Sequence, residues 1–187
     1  MSPSNNHQVL HPVRIEIPLE IRLYVIQLLN QTLACTVDLR SQVKQACWNV
    51  KGPDFSQLHA LFATMVTELD AYTDLVAERI VILGGIALGT VRTAATQSTL
   101  PEYPGAIVDG PAQVLALAER VAPYATTLRD AITLAADVED AGSAAVYTDM
   151  SRGVDKQLWV LEAHLHRAEH APHRPHATDG RDGTRGE

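Results

Sequence analysis

Along residues 18–50 apolar side chains recur every three or four positions, from Ile21, Tyr24, Val25, Leu28 and Leu29 through Leu33, Thr36, Leu39, Val43 and Ala46 to Val50. That period predicts one long amphipathic helix with Pro18 in its first turn. Lys51-Gly52-Pro53 stops it, and Asp54 is placed to cap the next helix. A second stripe, including Leu58, Phe62, Met65, Leu69, Tyr72, Val76 and Ile80, predicts a helix from Phe55 to about Leu83, closed by Gly84-Gly85. Two long helices joined by so short a turn form an antiparallel hairpin.

Residues 86–109 are too long for a turn and are predicted to hold a short helix near Thr90–Gln97, followed by the extended segment LPEYP. The third long helix is expected from Pro111 to about Val138, with Val114, Leu115, Leu117, Val121, Tyr124, Leu128, Ile132, Leu134 and Ala135 on its stripe. Pro123 lies inside it and should bend or break it. Asp140-Ala141-Gly142-Ser143 connects to a fourth helix with Ser143 as candidate N-cap, carrying Tyr147, Met150, Val154, Leu158, Trp159, Leu161 and Leu165 and fraying around Glu169. The fold class is all-α: a four-helix bundle with a short helix in its one long connection. Residues 1–17 are read as a flexible arm, 18–168 as the helical domain and 169–187 as a disordered tail.

Composition sharpens this picture. The chain has 187 residues, 46% hydrophobic and only 5% aromatic, so its core is built from Ala, Leu, Val and Ile, which suits close-packed helices. The formal charge is −7, which repels phosphate backbones and is compatible with gathering cations. Cys35 and Cys47 are twelve positions apart in one predicted helix, about 18 Å along its axis, too far to bridge within a chain. Two unpaired thiols, no signal-peptide pattern and no apolar run of membrane length point to a cytoplasmic protein.

The chemistry centres on residues 42–85. They contain CWNVKG, FSQLHALFA, DLVAER and LGG. This series resembles the Dps family of small ferritins, whose pattern runs H-W-N-x-x-G, F-x-x-L-H-x-x-F-D, D-x-x-A-E-R and L-G-G. GTVRTAATQSTLPEYP and YTDMSRGVDKQLWVLEAHL extend the resemblance, which covers roughly residues 18–168. It implies a ferritin-like subunit, a hollow dodecameric shell, iron as cargo, and a ferroxidase centre shared between two subunits. Two His and an Asp come from one subunit, an Asp and a Glu from the other.

Carried over by position, His59 remains on the first side and Asp74 and Glu78 on the second. The other two family ligands are replaced by Cys47 and Ala63. One imidazole and two carboxylates suffice for a metal with open positions, whereas Ala63 lacks the carboxylate that a two-iron reaction would use. Cys47 is either a thiolate ligand favouring zinc or a small buried residue. Asp74 and Glu78, four apart on one helix face, repel unless a cation, a proton or an arginine relieves them. The alternative for His59 is a hydrogen-bonded interface histidine. Trp48 is a radical trap by resemblance and a packing residue otherwise.

The resemblance also places pore acids at Asp140 and Asp149, with Ala145 where a third would stand and with Asp137 and Glu139 nearby. Solvated helix-end acids are the alternative. Five histidines, His164, His166, His170, His173 and His176, crowd the C-terminus and could hold a transition metal or gain charge in acid. The tail from Arg167 and the N-terminal arm each have balanced charge, so DNA binding is expected to be weak or absent at neutral pH. Two further readings stand beside the iron-storing one: a shell without ferroxidase chemistry, holding zinc through Cys47, and a protein that coats DNA.

Overall fold

The computed structural model describes residues 10–169, with side chains described as far as residue 166. Five helices follow in order: α1 (Leu19–Asn49), α2 (Phe55–Ile82), α3 (Val91–Gln97), α4 (Gly110–Asp137) and α5 (Ala141–Glu169). The four long ones form the expected all-α bundle, and α3 is the short helix of the crossover. α1 packs on α2 and α4 on α5, with α1 against α4 and α2 against α5 across the bundle.

The ends of the helices fix the topology. The Lys51 N–H donates to Val108 O at 2.8 Å, which pins the end of the crossover to the α1–α2 turn. At the other end, Arg79 near the C-terminus of α2 reaches Asp140 at the N-terminus of α5. The crossover therefore returns along the whole bundle, and α2 and α4 run parallel. It is held to α1 on the way, where Gln31 Nε2 donates to Gln97 O at 2.6 Å and Ser98 Oγ to Asp38 Oδ2 at 2.5 Å.

Leucine, valine and alanine fill the interior, with two fully buried tyrosines at its centre. Tyr124 and Thr36 share a 2.6 Å hydrogen bond. Thr36 already donates to Thr32 O at 2.8 Å, so the phenol is the donor. Thr32 Oγ1 lies 3.4 Å from Tyr147 Oη. Burial pushes both phenols well above the ordinary tyrosine range. Burial likewise raises Tyr103 to about 12, against the opposing pull of Arg120.

Several expectations are corrected or narrowed. Of the two outcomes expected at Pro123, the break does not occur, and α4 continues through it to Asp137. The proline is exposed, so the backbone groups it leaves unpaired can be met by water. Ser143 is not the cap of α5. Asp140 is, since its Oδ1 accepts from the Ser143 N–H at 3.0 Å and its Oδ2 from Ser143 Oγ at 2.6 Å. Asp54 stands before α2 but makes no side-chain cap. On the stripes, Tyr24, Leu115, Leu134 and Trp159 turn out exposed. Residues 10–17 have no regular secondary structure, yet Leu10, Ile15 and Ile17 pack against the core and the His11 N–H donates to Gly84 O at 2.7 Å.

Candidate metal centre

α2 buries Leu58, Phe62, Met65, Leu69, Val76 and Ile80 against the bundle, and this sets what its opposite face shows. At 100° per residue, His59, Ala63, Thr67, Asp74 and Glu78 fall within roughly 100° of the helix circumference. His59, Thr67, Asp74 and Glu78 are exposed, and Ala63 is half-buried. The middle of this face is low: Ala60, Ala63, Thr64, Thr67 and Ala71. Thr64 and Thr67 fold their hydroxyls back onto Ala60 O and Ala63 O.

His59 touches the Phe55 ring at 5.4 Å between centroids. Among the described residues its imidazole and the carboxylates of Asp74 and Glu78 have no hydrogen bond or ion pair within the subunit. Among the described residues no arginine pairs with either acid. Arg79 is turned to Asp140, at 2.5 Å, and to Ser143 Oγ, at 2.9 Å.

One subunit does not bring the three candidate ligands together. His59 and Asp74 are fifteen positions apart on one helix, hence about 22 Å along the axis, and Glu78 lies about 28 Å away. Accordingly, no three His, Cys, Asp or Glu side chains of the described residues gather into a metal-binding group.

Cys47 and Trp48 close α1 and behave oppositely. Cys47 is 3% exposed, in the core, with its Sγ 3.8 Å from His59 O. The chain thus passes close to His59 at this position, but the thiol faces inward as a small buried residue. Trp48 is 68% exposed, and Lys44 Nζ lies 5.8 Å from the ring centroid.

The two expected pore acids differ in kind. Asp140 has a side-chain exposure of 1%, enclosed by Arg79 and Ser143, so its carboxylate serves the α2–α5 junction and does not face solvent. Asp149 is exposed, 3.6 Å from Arg152, and lines a concavity of about 680 Å³ with Glu139, Ala145 and Thr148. Asp137 and Glu139 are also exposed. Sequence reasoning missed the Arg79–Asp140 pair, although the Asp-x-x-Ser spacing at 140–143 carries a capping signal. His164 is half-buried and His166 exposed; His170, His173, His176 and most of both terminal segments lie outside the described residues. No helix of the described residues is long and apolar enough to cross a membrane.

Comparison with known proteins agrees with this architecture. The ferritin-like domain family matches residues 26–171. A DNA protection during starvation protein of Agrobacterium fabrum (strain C58 / ATCC 33970) is 39% identical over 155 residues, spanning 83% of this chain and 96% of that protein. The solved structure of DpsC from Streptomyces coelicolor superposes with a TM-score of 0.80 at 30% identity, covering 84% of this chain and 92% of that one. Dps from Microbacterium arborescens, solved in a high iron form, gives a TM-score of 0.74 at 31% identity, covering 80% and 97%. With a bundle and crossover helix of this kind, and matches that run nearly end to end, the chain belongs to the Dps family of ferritin-like proteins.

Proposed function

We propose that this protein is an iron-sequestering mini-ferritin whose metal sites form between two copies of the chain. One observation carries the proposal: three ligand-type side chains share one solvent-facing strip of α2, unpaired among the described residues, with His59 too far from the two acids to meet them within one subunit. A two-fold axis crossing α2 near Thr67, with the partner helix antiparallel, carries Asp74 and Glu78 of one copy to His59 of the other. It does so at both ends of the interface at once. The alanines and threonines between them permit close approach of the two helices.

Fe(II) is the substrate. Imidazole and carboxylate together suit this borderline ion, and the two anionic groups favour the ferric product. Oxidation by peroxide takes one electron from each of two irons, which pass to the peroxide as it becomes two waters with uptake of two protons. Ala63 lacks the carboxylate that would help seat the second iron, and Cys47 puts an inward thiol where the family pattern has an imidazole. Both changes slow oxidation relative to the unaltered pattern. The buried thiol gives a zinc site no support.

The remaining assignments follow the family. Copies assemble as a dodecameric shell, Asp149 attracts cations at the shell's openings, and exposed Trp48 beside the site intercepts stray oxidising equivalents. Protection of DNA proceeds chiefly by removing iron and peroxide in the cytoplasm, because a charge of −7 per chain opposes tight contact with phosphates at neutral pH.

The test is anaerobic Fe(II) titration followed by peroxide, reading ferric absorbance, for the native protein and an Asp74→Ala/Glu78→Ala variant. The native protein should bind and oxidise iron faster. Equal slow rates would transfer the assignment to a shell without ferroxidase chemistry.

A further inference from the structure

Between α1 and the crossover lies a cleft of about 520 Å³ that is separate from the α2 strip. Asp38, Gln42, Leu100, Glu102 and Tyr103 are among its walls. Its size is that of a small-molecule site, which is typically about 300–1,000 Å³. Its charged lining is two carboxylates, Asp38 and Glu102, and no Lys, Arg or His of the described residues lines it.

Asp38 Oδ1 accepts from Gln42 Nε2 at 3.2 Å and Oδ2 from Ser98 Oγ at 2.5 Å, and each oxygen keeps capacity for another donor. Gln42, 6% exposed, also donates from Nε2 to Pro101 O at 3.2 Å. Its Oε1 is buried and receives no hydrogen bond. The amide cannot be turned to relieve this, because Oε1 would then confront a carboxylate and a carbonyl. Glu102 is exposed, and its carboxylate has no partner among the described residues. Arg120, behind Tyr103, is directed elsewhere: Nη1 donates to Ala116 O and Glu119, and Nη2 to the Glu102 backbone O.

Among the described residues, two carboxylates without a countercation, an acceptor without a donor, and apolar surface from Leu100 and Ala95 define the missing chemistry. We propose that this cleft binds a small linear organic cation, an alkylamine whose ammonium groups donate to Asp38, Gln42 and Glu102 while its methylenes lie on Leu100 and Ala95. A bare metal ion fits less well, since no three metal-binding side chains converge among the described residues. The proposal does not depend on the iron site.

Titration calorimetry of the assembled full-length protein at low ionic strength and pH 7.5 tests it, with 1,4-diaminobutane as probe. The expected result is saturable uptake near one per chain, with affinity at least tenfold lower in Asp38→Asn and in Glu102→Gln. Because Glu102 is exposed, its substitution leaves folding intact, and thermal melts of each variant confirm this. Uncharged 1,4-butanediol should not bind, and Asp130→Asn and Glu162→Gln, at exposed acids outside the cleft, should bind the diamine as the native protein does. The proposal is overturned by absent saturation, by equal binding of the diol, or by equal losses at the control acids. It is also overturned if Mg²⁺ binds with loss in Asp38→Asn and the diamine does not compete.

Discussion

Arg79 Nη2 lies 2.5 Å from Asp140 Oδ1, with side-chain exposures of 12% and 1%, and this buried pair ties the end of α2 to the start of α5. Ser143 completes it on both sides. The arrangement keeps the guanidinium away from Glu78, its neighbour in sequence, and leaves that carboxylate to the solvent-facing strip.

Removing one partner of such a pair leaves a buried charge without compensation, at a cost of about 3–5 kcal/mol. Asp140→Ala should lower the unfolding free energy by that amount in urea denaturation. Asp149→Asn, at an exposed site, should stay within about 0.5 kcal/mol of the native protein while slowing iron uptake. A stable Asp140→Ala variant with impaired uptake would return Asp140 to the pore.

Stability should fall steeply in alkali. Tyr103, Tyr124 and Tyr147 are raised above the ordinary tyrosine value in the folded state, so above pH ~10 the unfolded chain binds fewer protons than the native one. Their contribution is complete below pH ~10 and is lost as pH rises toward the folded values. Each group adds a slope approaching about 1.4 kcal/mol per pH unit. Tyr124→Phe should make the decline between pH 10 and 12 shallower by that amount, as read from denaturation curves at several pH values.

The two departures from the family pattern differ in how readily they can be reversed. Ala63 is half-buried on the α2 strip, so Ala63→Asp should fold normally and speed peroxide-driven oxidation of Fe(II). Cys47 is in the core, and a histidine there should cost about 1–3 kcal/mol in overpacking. The double variant Cys47→His/Ala63→Asp should therefore oxidise iron fastest but melt lower than Ala63→Asp alone.

Gly84 has φ 88°, and a Cβ there would stand 2.6 Å from His11 O. Gly84→Ala should cost at least ~1–2 kcal/mol from the left-handed backbone alone. It should also release residues 10–17 from the end of α2, seen as faster proteolysis within that segment.

The helices were legible because their stripes are long and regular, and because Gly52-Pro53 and Gly84-Gly85 punctuate them plainly. Pro123 left a bend or a break open, and the break is absent because an exposed proline can remain within a helix whose other face is deeply packed. Ser143 misled because Asp140, three positions earlier, is the better acceptor and has Arg79 beside it. Exposure of Trp159 and Leu134 could not be read from period alone, which marks a stripe wider than the buried one. At the candidate site, the spacing of His59, Asp74 and Glu78 was legible, and so was a small buried residue as one of the two readings of Cys47, but the capture of Arg79 depends on tertiary contacts.

Complementation between two defective chains tests the shared site most directly. His59→Ala subunits and Asp74→Ala/Glu78→Ala subunits each lack one half of every site when assembled alone. Random co-assembly pairs half of the dimers as hybrids, each with one intact and one empty site, so about a quarter of the native fast iron-oxidising sites should return. Activity of the mixture no greater than the average of the two separate variants would contradict a metal centre built across two copies of α2.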